Sequence, residues 1–389
     1  MAIGPPYGDR PAVSVVRKAV LDTGRGPVAP WKGSRAADGA GPGTLLEGTM
    51  NADIVIVGAG VIGLTTATRL LELGAQVVLV TDEALPARTS SVAAAVWYPT
   101  GMTPGPRVTA WAAETYAELA RQAADGVPGV VMGPCRMYVP AGGQELPWWA
   151  AAVPGLRRLG AGEGAGTGTV TGTGTGTGAA AGTAAWTHGW AFDAPTVEMP
   201  RYLAWLAKRF QQAGGVLLHR RINDLAEAAA WAPLVVNAAG LWAGSLCGDG
   251  TMSPVRGQLV LVANPGLRTS LRVQDHPDGY TYVHPRGADV VLGGTFDVGR
   301  WDLAPDPGTA AAVLRRCTAL EPRLTGARVL AHRVGLRPHR PAGVRLERDD
   351  RLLPGTRVVH NYGHGGSGVT LSWGCAKEAA GLAAALTTS

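Results

Sequence analysis

The apolar run Ile54–Val57 stops at a glycine-rich stretch, and from Val61 onward apolar positions recur at helical spacing before a second apolar run begins at Gln76. This pattern predicts a buried strand at 53–57, a helix at 61–73 and a strand at 76–80, a βαβ opening. Helical periodicity returns over 196–213, with Tyr202, Leu203, Leu206 and Phe210 on one face, and Leu234–Asn237 reads as another apolar strand ending at Ala238-Ala239-Gly240. The section 253–296 favours β structure, with short strands at 258–262, 280–284 and 290–292 separated by Gly, Pro and Asp. The chain closes with a strand at 357–360, a glycine-rich turn and a helix over 369–386. These elements predict an α/β fold in which distant segments assemble one parallel-type sheet around an inserted, mainly antiparallel β module.

Composition narrows the class. At 389 residues and 46% hydrophobic content the chain is long enough for two domains with separate cores and fits a soluble globular protein. No apolar stretch reaches the ~18 residues of a membrane span, and Pro, Gly and Arg interrupt the N-terminus where a signal peptide would need an apolar core, so the expected location is the cytoplasm. The net charge of +6 comes from scattered arginines, with four lysines in all, which argues against a nucleic-acid surface. Cys135, Cys247, Cys317 and Cys375 lie far apart with no CxxC pair and no histidine at ligand spacing, so buried free thiols and no metal are expected. Residues 1–49, rich in Gly, Pro and Ala, read as a disordered extension ahead of Met50. A low-complexity tract with TGTGTGTG at about 160–185 reads as a flexible surface insertion.

The first candidate site is Val57-Gly58-Ala59-Gly60-Val61-Ile62-Gly63, a GxGxxG between a strand and a helix. Gly58 allows the tight turn, Gly60 the approach of a pyrophosphate, and Gly63 close packing of helix on sheet. The pyrophosphate would rest on the unpaired amides of the helix start, and Asp82, at the end of the second strand, would accept from a ribose hydroxyl. This motif alone leaves FAD and NAD both open.

Three further segments are more specific: Arg88-Thr89-Ser90-Ser91-Val92-Ala93-Ala94-Ala95-Val96-Trp97-Tyr98-Pro99, then Val334-Gly335-Leu336-Arg337-Pro338-His339-Arg340-Pro341, then Val358-Val359-His360-Asn361-Tyr362-Gly363-His364-Gly365-Gly366-Ser367-Gly368. Together they resemble the D-amino-acid oxidase family, which includes D-aspartate oxidases, over about 51–385. The resemblance implies a Rossmann-like FAD-binding domain (51–100, 196–250 and 330–389) with an inserted substrate-binding domain (101–195 and 251–329). It implies non-covalent FAD, held by Gly58, Gly60, Val61, Ile62, Gly63, Asp82, Thr89, Ser90, Ala94, Ala95, Val96, Gly365, Gly366, Gly368, Val369 and Thr370. Ala95 stands where many relatives carry Gly, and Ser367 replaces an aromatic found in some.

For the substrate, the resemblance implies that Arg337 grips the α-carboxylate, helped by Tyr282, while the Gly366 carbonyl accepts from the amine. Tyr280 reaches the site from the preceding loop, and Phe296 is a candidate pocket wall. The guanidinium of Arg337 suits a carboxylate through two parallel hydrogen bonds. The implied reaction uses no protein acid or base: hydride passes from Cα of a D-amino acid to flavin N5, oxygen accepts the electrons, and a 2-oxo acid, ammonia and hydrogen peroxide result. His339, His360 and His364 are then structural. The expected partners are a D-amino acid and oxygen, with a homo-oligomer left open. The alternatives are a D-aspartate oxidase, which would need a further cation such as Arg272, His276 or His284, a glycine oxidase, or an NAD-dependent dehydrogenase.

Overall fold

A computed structural model describes residues 52–82, 89–99, 101–140, 145–160, 162–169 and 183–387. The expected disorder of 1–49 and the centre of the Gly/Thr tract lie outside the described residues. The flanks of that tract, Ala165–Thr169 and Thr183–Trp186, pair as an antiparallel ribbon.

One sheet has the order Arg345–Asp349, Arg357–Tyr362, Leu234–Asn237, Ile54–Val57, Val77–Thr81, Val216–His219. Its strands run parallel except for the edge pair Arg345–Asp349 with Arg357–Tyr362. The central strands Ile54–Val57 and Leu234–Asn237 are buried along their whole length. Continuous apolar runs are what a parallel sheet covered on both faces requires. On one face lie the helices Val61–Glu72, Met199–Gln212 and Gly368–Thr387, with Ile54 and Ile56 in their core. On the other, Leu225 and Ala228 of the short helix Leu225–Ala229 cover Val55, Val78 and Val235.

Among the described residues the second sheet has nine strands. Ser253–Ala263 pairs with Asp289–Gly293, with Asp297–Val298 and with Val329–His339, and the sheet continues through Thr281–Arg286, Ser270–Val273, Val130–Tyr138 and Gly189–Val197 to Arg157–Arg158. Pairing is antiparallel except between Ser270–Val273 and Val130–Tyr138. Helix Pro307–Leu320 covers this sheet, burying Val313 and Cys317 against Val260, Val283 and Leu292.

Several boundaries differ from the sequence expectation. The helix expected at 196–213 spans Met199–Gln212, because Thr196 and Val197 end the strand Gly189–Val197 paired with Val130–Tyr138. Helix Pro106–Ala124 lies between the C-terminal helix and the second sheet, where the Tyr116 hydroxyl donates to the Asp193 carbonyl at 2.9 Å. Its backbone touches Gly374 so closely that a side-chain carbon there would stand 2.3 Å from Trp111 Cα, and Thr115 Oγ1 accepts from the Gly374 amide at 3.0 Å. Strand Val329–His339, in a segment expected with the nucleotide unit, joins the second sheet, since Arg337 and Gly335 pair opposite Val255 and Gly257. The thiols of Cys135, Cys317 and Cys375 are buried as expected, but Cys247 is half-buried, with its sulfur 3.2 Å from the Tyr362 hydroxyl. Among the described residues no helix is long and apolar enough to cross a membrane.

Candidate active site

The nucleotide end follows from two glycines that cannot be anything larger. Gly58 holds φ +106°, and a side-chain carbon on it would stand 2.4 Å from the Ala238 carbonyl oxygen. One on Gly63 would stand 1.8 Å from the Gly58 carbonyl oxygen, so the helix sits directly on the turn. Gly60 is different: a carbon there meets only Ser90 Oγ, at 3.2 Å, so space rather than packing is what it preserves. Ser90 Oγ accepts from the Val61 amide at 3.1 Å, filling one of the unpaired donors at the helix start. Asp82 follows the strand Val77–Thr81 and faces the same cavity.

That cavity occupies about 1420 Å³ and runs from Gly58 and Asp82, past Ala94–Val96, to Arg337 and Tyr282. Its wall contains every cofactor and substrate residue expected from sequence except Gly63, which lies beneath. The Ala93–Val96 stretch is fixed against the strand Gly189–Val197: the Val197 amide donates to the Ala95 carbonyl at 2.7 Å, and the Trp97 amide to the Pro195 carbonyl at 2.8 Å. Ala95 itself has φ +48°. This left-handed backbone costs an L-residue about 1–2 kcal/mol, the reason glycine suits the position. Gly365, with φ +53°, starts the turn into the C-terminal helix, and Gly368, Val369 and Thr370 bring the helix amides to the cavity. Thr370 Oγ1 donates to the Tyr98 carbonyl at 3.0 Å and accepts from the Tyr98 amide at 3.3 Å, locking this helix start to the Ala93–Val96 wall.

The substrate-type residues converge from two strands, Thr281–Arg286 and Val329–His339, the loops at Tyr280 and Phe296, and the turn at Gly366. The guanidinium of Arg337 lies flat on Gly257, where a side-chain carbon would be 2.4 Å from both terminal nitrogens. Arg337 Nη1 donates to the Thr295 carbonyl at 3.1 Å, and the group sits 5.5 Å from the Phe296 ring centre. Gly366 is its neighbour, with Arg337 Cδ 3.5 Å from where a Gly366 side-chain carbon would stand. The Tyr282 ring fills the space above Gly293, which no larger residue could leave free. Burial raises the Tyr282 pKa, against the pull of Arg337 and Arg272, so its hydroxyl stays a neutral donor. Tyr280 stacks on Phe296 at 5.3 Å and 7°, steadied by Arg316, whose Nη2 donates to the Tyr280 carbonyl at 3.1 Å.

Two histidines line the same cavity. Burial pushes both His284 and His364 down to about 3, so both are neutral. His284 stacks on Tyr282 at 4.7 Å. His284 Nδ1 and His364 Nε2 are buried without a hydrogen-bond partner among the described residues. Arg272 also reaches the cavity, 3.9 Å from the Tyr98 ring centre, with its Nε buried and unpartnered.

A polar network behind the wall holds the HNYGHGG turn. Asp249 Oδ2 accepts from Arg340 Nε at 2.8 Å and from the Tyr362 hydroxyl at 2.9 Å, and Arg345 Nη1 donates to that hydroxyl at 3.0 Å. Arg340 is therefore a structural partner of this network. Burial would raise the Asp249 pKa, but hydrogen bonds from Thr251, Arg340 and Tyr362 outweigh it and hold the carboxyl well below its usual range. A depressed folded-state pKa stabilises the protein above the unfolded value of about 4 and withdraws that support as pH falls through the folded value. Asp249→Asn should accordingly lower Tm at pH 7, and the gap from wild type should shrink as thermal melts are taken down toward pH 3. A gap that is independent of pH would show that the Asp249 charge is not what holds the turn.

Residues 53–382 match the family described as FAD dependent oxidoreductase. Over 340 residues the chain is 48% identical to a D-amino-acid oxidase of Rubrobacter xylanophilus, covering 87% of this chain and 98% of that protein. The chain belongs to the D-amino-acid oxidase family of FAD-dependent oxidoreductases. It is also 38% identical to a human D-aspartate oxidase over 344 residues, 85% of this chain and 94% of that one. Among solved structures, glycine oxidase from Geobacillus kaustophilus gives a TM-score of 0.71 at 21% identity, covering 86% of this chain and 95% of that one, a likeness of fold. As a member of this family the chain is an FAD-dependent enzyme, which settles the choice that GxGxxG left open. The residues present fit the cofactor: the turn at Gly58 has no room for a side chain, helix amides meet the wall at Gly368–Thr370, and His364 offers an orphaned ring nitrogen. Sequence reasoning did not find the Thr295 carbonyl under Arg337, the Ser90 cap or the Asp249 network. Nothing in the local sequence marks them, since each depends on pairing between distant segments.

Proposed function

We propose that the protein oxidatively deaminates D-amino acids, with the substrate carboxylate gripped by Arg337 and Tyr282 and its amine received by the Gly366 carbonyl. The observation that carries this is the half-buried fork of Arg337 lining, beside Gly366, a cavity walled by Ala94–Val96. Two anchors fix the zwitterion, so that only one enantiomer turns its Cα hydrogen toward the wall where the ring would lie. When bound, FAD supplies the two-electron acceptor chemistry and passes the electrons on to oxygen. The protein contributes orientation and charge: the helix start at Gly368–Thr370 favours negative charge developing nearby. Neither cavity histidine suits the task of a base, because both are held near 3. The cytoplasm is the compartment this reading assumes.

A second reading is favoured by Arg272. A half-buried guanidinium with no acidic partner among the described residues suits an anionic group, here the side-chain carboxylate of an acidic D-amino acid, as the relative named D-aspartate oxidase would handle. A peroxide-coupled panel tests both. D-alanine, D-methionine and D-aspartate should be compared with their L-forms. Peroxide from D-forms alone supports the main reading. A preference for D-aspartate that Arg272→Leu abolishes, while D-alanine turnover survives, supports the second. Peroxide from L-forms at equal rates contradicts both.

A further inference from the structure

Three apolar side chains of the cavity lining are unusually exposed: Trp242 at 51%, Trp301 at 52% and Leu303 at 60%. Trp242 and Trp301 come from different sheets, Trp242 from the turn after Leu234–Asn237 and Trp301 from the loop after Asp297–Val298, yet their ring centres are 5.9 Å apart at 38°. Both indoles and Leu303 line the same cavity as the Gly58 turn.

Neither segment is loosely attached. The wholly buried Arg256 donates to the carbonyls of Asp302 (2.9 Å) and Ala304 (2.6 Å) and pairs with the Asp302 carboxylate at 3.0 Å. Gln258, also buried, donates to the Asp306 carbonyl at 2.7 Å and accepts from the Asp306 amide at 2.9 Å. On the other side, buried Asn237 donates to the Ala243 carbonyl at 3.0 Å. The fold thus orders two segments with buried polar side chains and then leaves the indoles they carry half in water. Burying apolar surface is favourable, so such a pair gains from being covered, and flat indole faces suit a planar partner.

We propose that Trp242 and Trp301 form an aromatic clasp that stacks on the bound flavin nucleotide at the cavity mouth. The occupant follows from position. The Trp242 turn is continuous with Ala238 and Ala239, whose backbone seats Gly58, so the clasp begins at the nucleotide end of the cavity. The cofactor has two flat heterocycles for indoles to stack on, whereas the small zwitterion is served by Arg337, Tyr282 and Gly366. Stacking of a base on an aromatic side chain is strong enough for its loss to be read in affinity.

The test uses full-length holoenzyme stripped of flavin, titrated with FAD by calorimetry and followed by tryptophan fluorescence. Trp242→Ala and Trp301→Ala should each raise the FAD Kd about tenfold and reduce the fluorescence quenched on binding, while Trp301→Phe recovers most of the affinity. Leu146→Ala, exposed at 67% and outside the cavity wall, should match wild type. Melting curves of the stripped variants should coincide with wild type, and KM for a D-amino acid at saturating FAD should change less than twofold. A Kd within twofold of wild type in both alanine variants overturns the clasp. So does a rise in KM at unchanged Kd, which would make the pair a substrate entrance, or a shift in sedimentation at unchanged Kd, which would make it a contact between copies. An Ala variant that melts early is judged by Trp301→Phe against Trp301→Tyr: both retaining affinity supports stacking, and both losing it contradicts stacking.

Discussion

Arg337→Ala should raise KM for D-alanine by two orders of magnitude or more while the purified protein stays yellow. Truncating one partner of a hydrogen-bonded charge pair costs about 2–5 kcal/mol, and the variant leaves a carboxylate facing a cavity without its fork. The fold should tolerate the change, because among the described residues the Arg337 side chain is held only by the Thr295 carbonyl and the Phe296 ring, both in the link between the strands Asp289–Gly293 and Asp297–Val298. Arg337→Lys should recover only part of the loss, since an ammonium cannot match a carboxylate with two parallel donors. Steady-state kinetics of the three forms at saturating FAD provides the check. A KM within threefold of wild type for Arg337→Ala would mean that another group, Arg272 foremost, takes the carboxylate.

Gly58→Ala should yield colourless protein with FAD affinity lost by more than about 100-fold. The methyl group meets the Ala238 carbonyl oxygen at 2.4 Å, and the residue must also keep φ +106°, where L-residues are strained. Relief requires the strand end at Ala238 to retreat or the turn to open, and either change moves the helix start at Val61. Gly60→Ala separates the two roles, because its methyl group meets only Ser90 Oγ at 3.2 Å. That variant should fold with nearly native Tm yet bind FAD weakly. Visible absorbance of the purified variants, before and after incubation with excess FAD, distinguishes them; yellow Gly58→Ala protein with native affinity would refute the assignment of the turn.

Why some of this could be read in the sequence and some could not has a physical basis. The Ile54–Val57 and Leu234–Asn237 strands are short, continuous and wholly buried, so their hydrophobic pattern is unambiguous. Gly58, Gly63 and Arg337 announce themselves because their roles depend on chemistry that few residue types supply. Helix Pro106–Ala124 was not anticipated: its buried positions include Thr115 and Gln122 beside Trp111 and Tyr116, so polar residues interrupt the apolar pattern. Strand Val329–His339 also escaped, being exposed or half-buried along its length, with Arg337 and Arg333 among its residues. Helix Pro106–Ala124 touches both the C-terminal helix and the strand Gly189–Val197, and strand Val329–His339 pairs with Ser253–Ala263, contacts between distant segments that local pattern does not encode. The Trp242–Trp301 pair and the Asp249 network join segments far apart in the chain, so only the folded arrangement reveals them.

The central claim is that one enantiomer alone is presented to the oxidised cofactor by the fork at Arg337. Mixing the yellow enzyme with D-alanine in the absence of oxygen, and following the flavin absorbance near its visible maximum, tests it with no coupled reagent. The account predicts complete bleaching with D-alanine, none with L-alanine, and full recovery of colour when air is admitted. Equal bleaching by both enantiomers, or by neither and by no other D-amino acid, would contradict it.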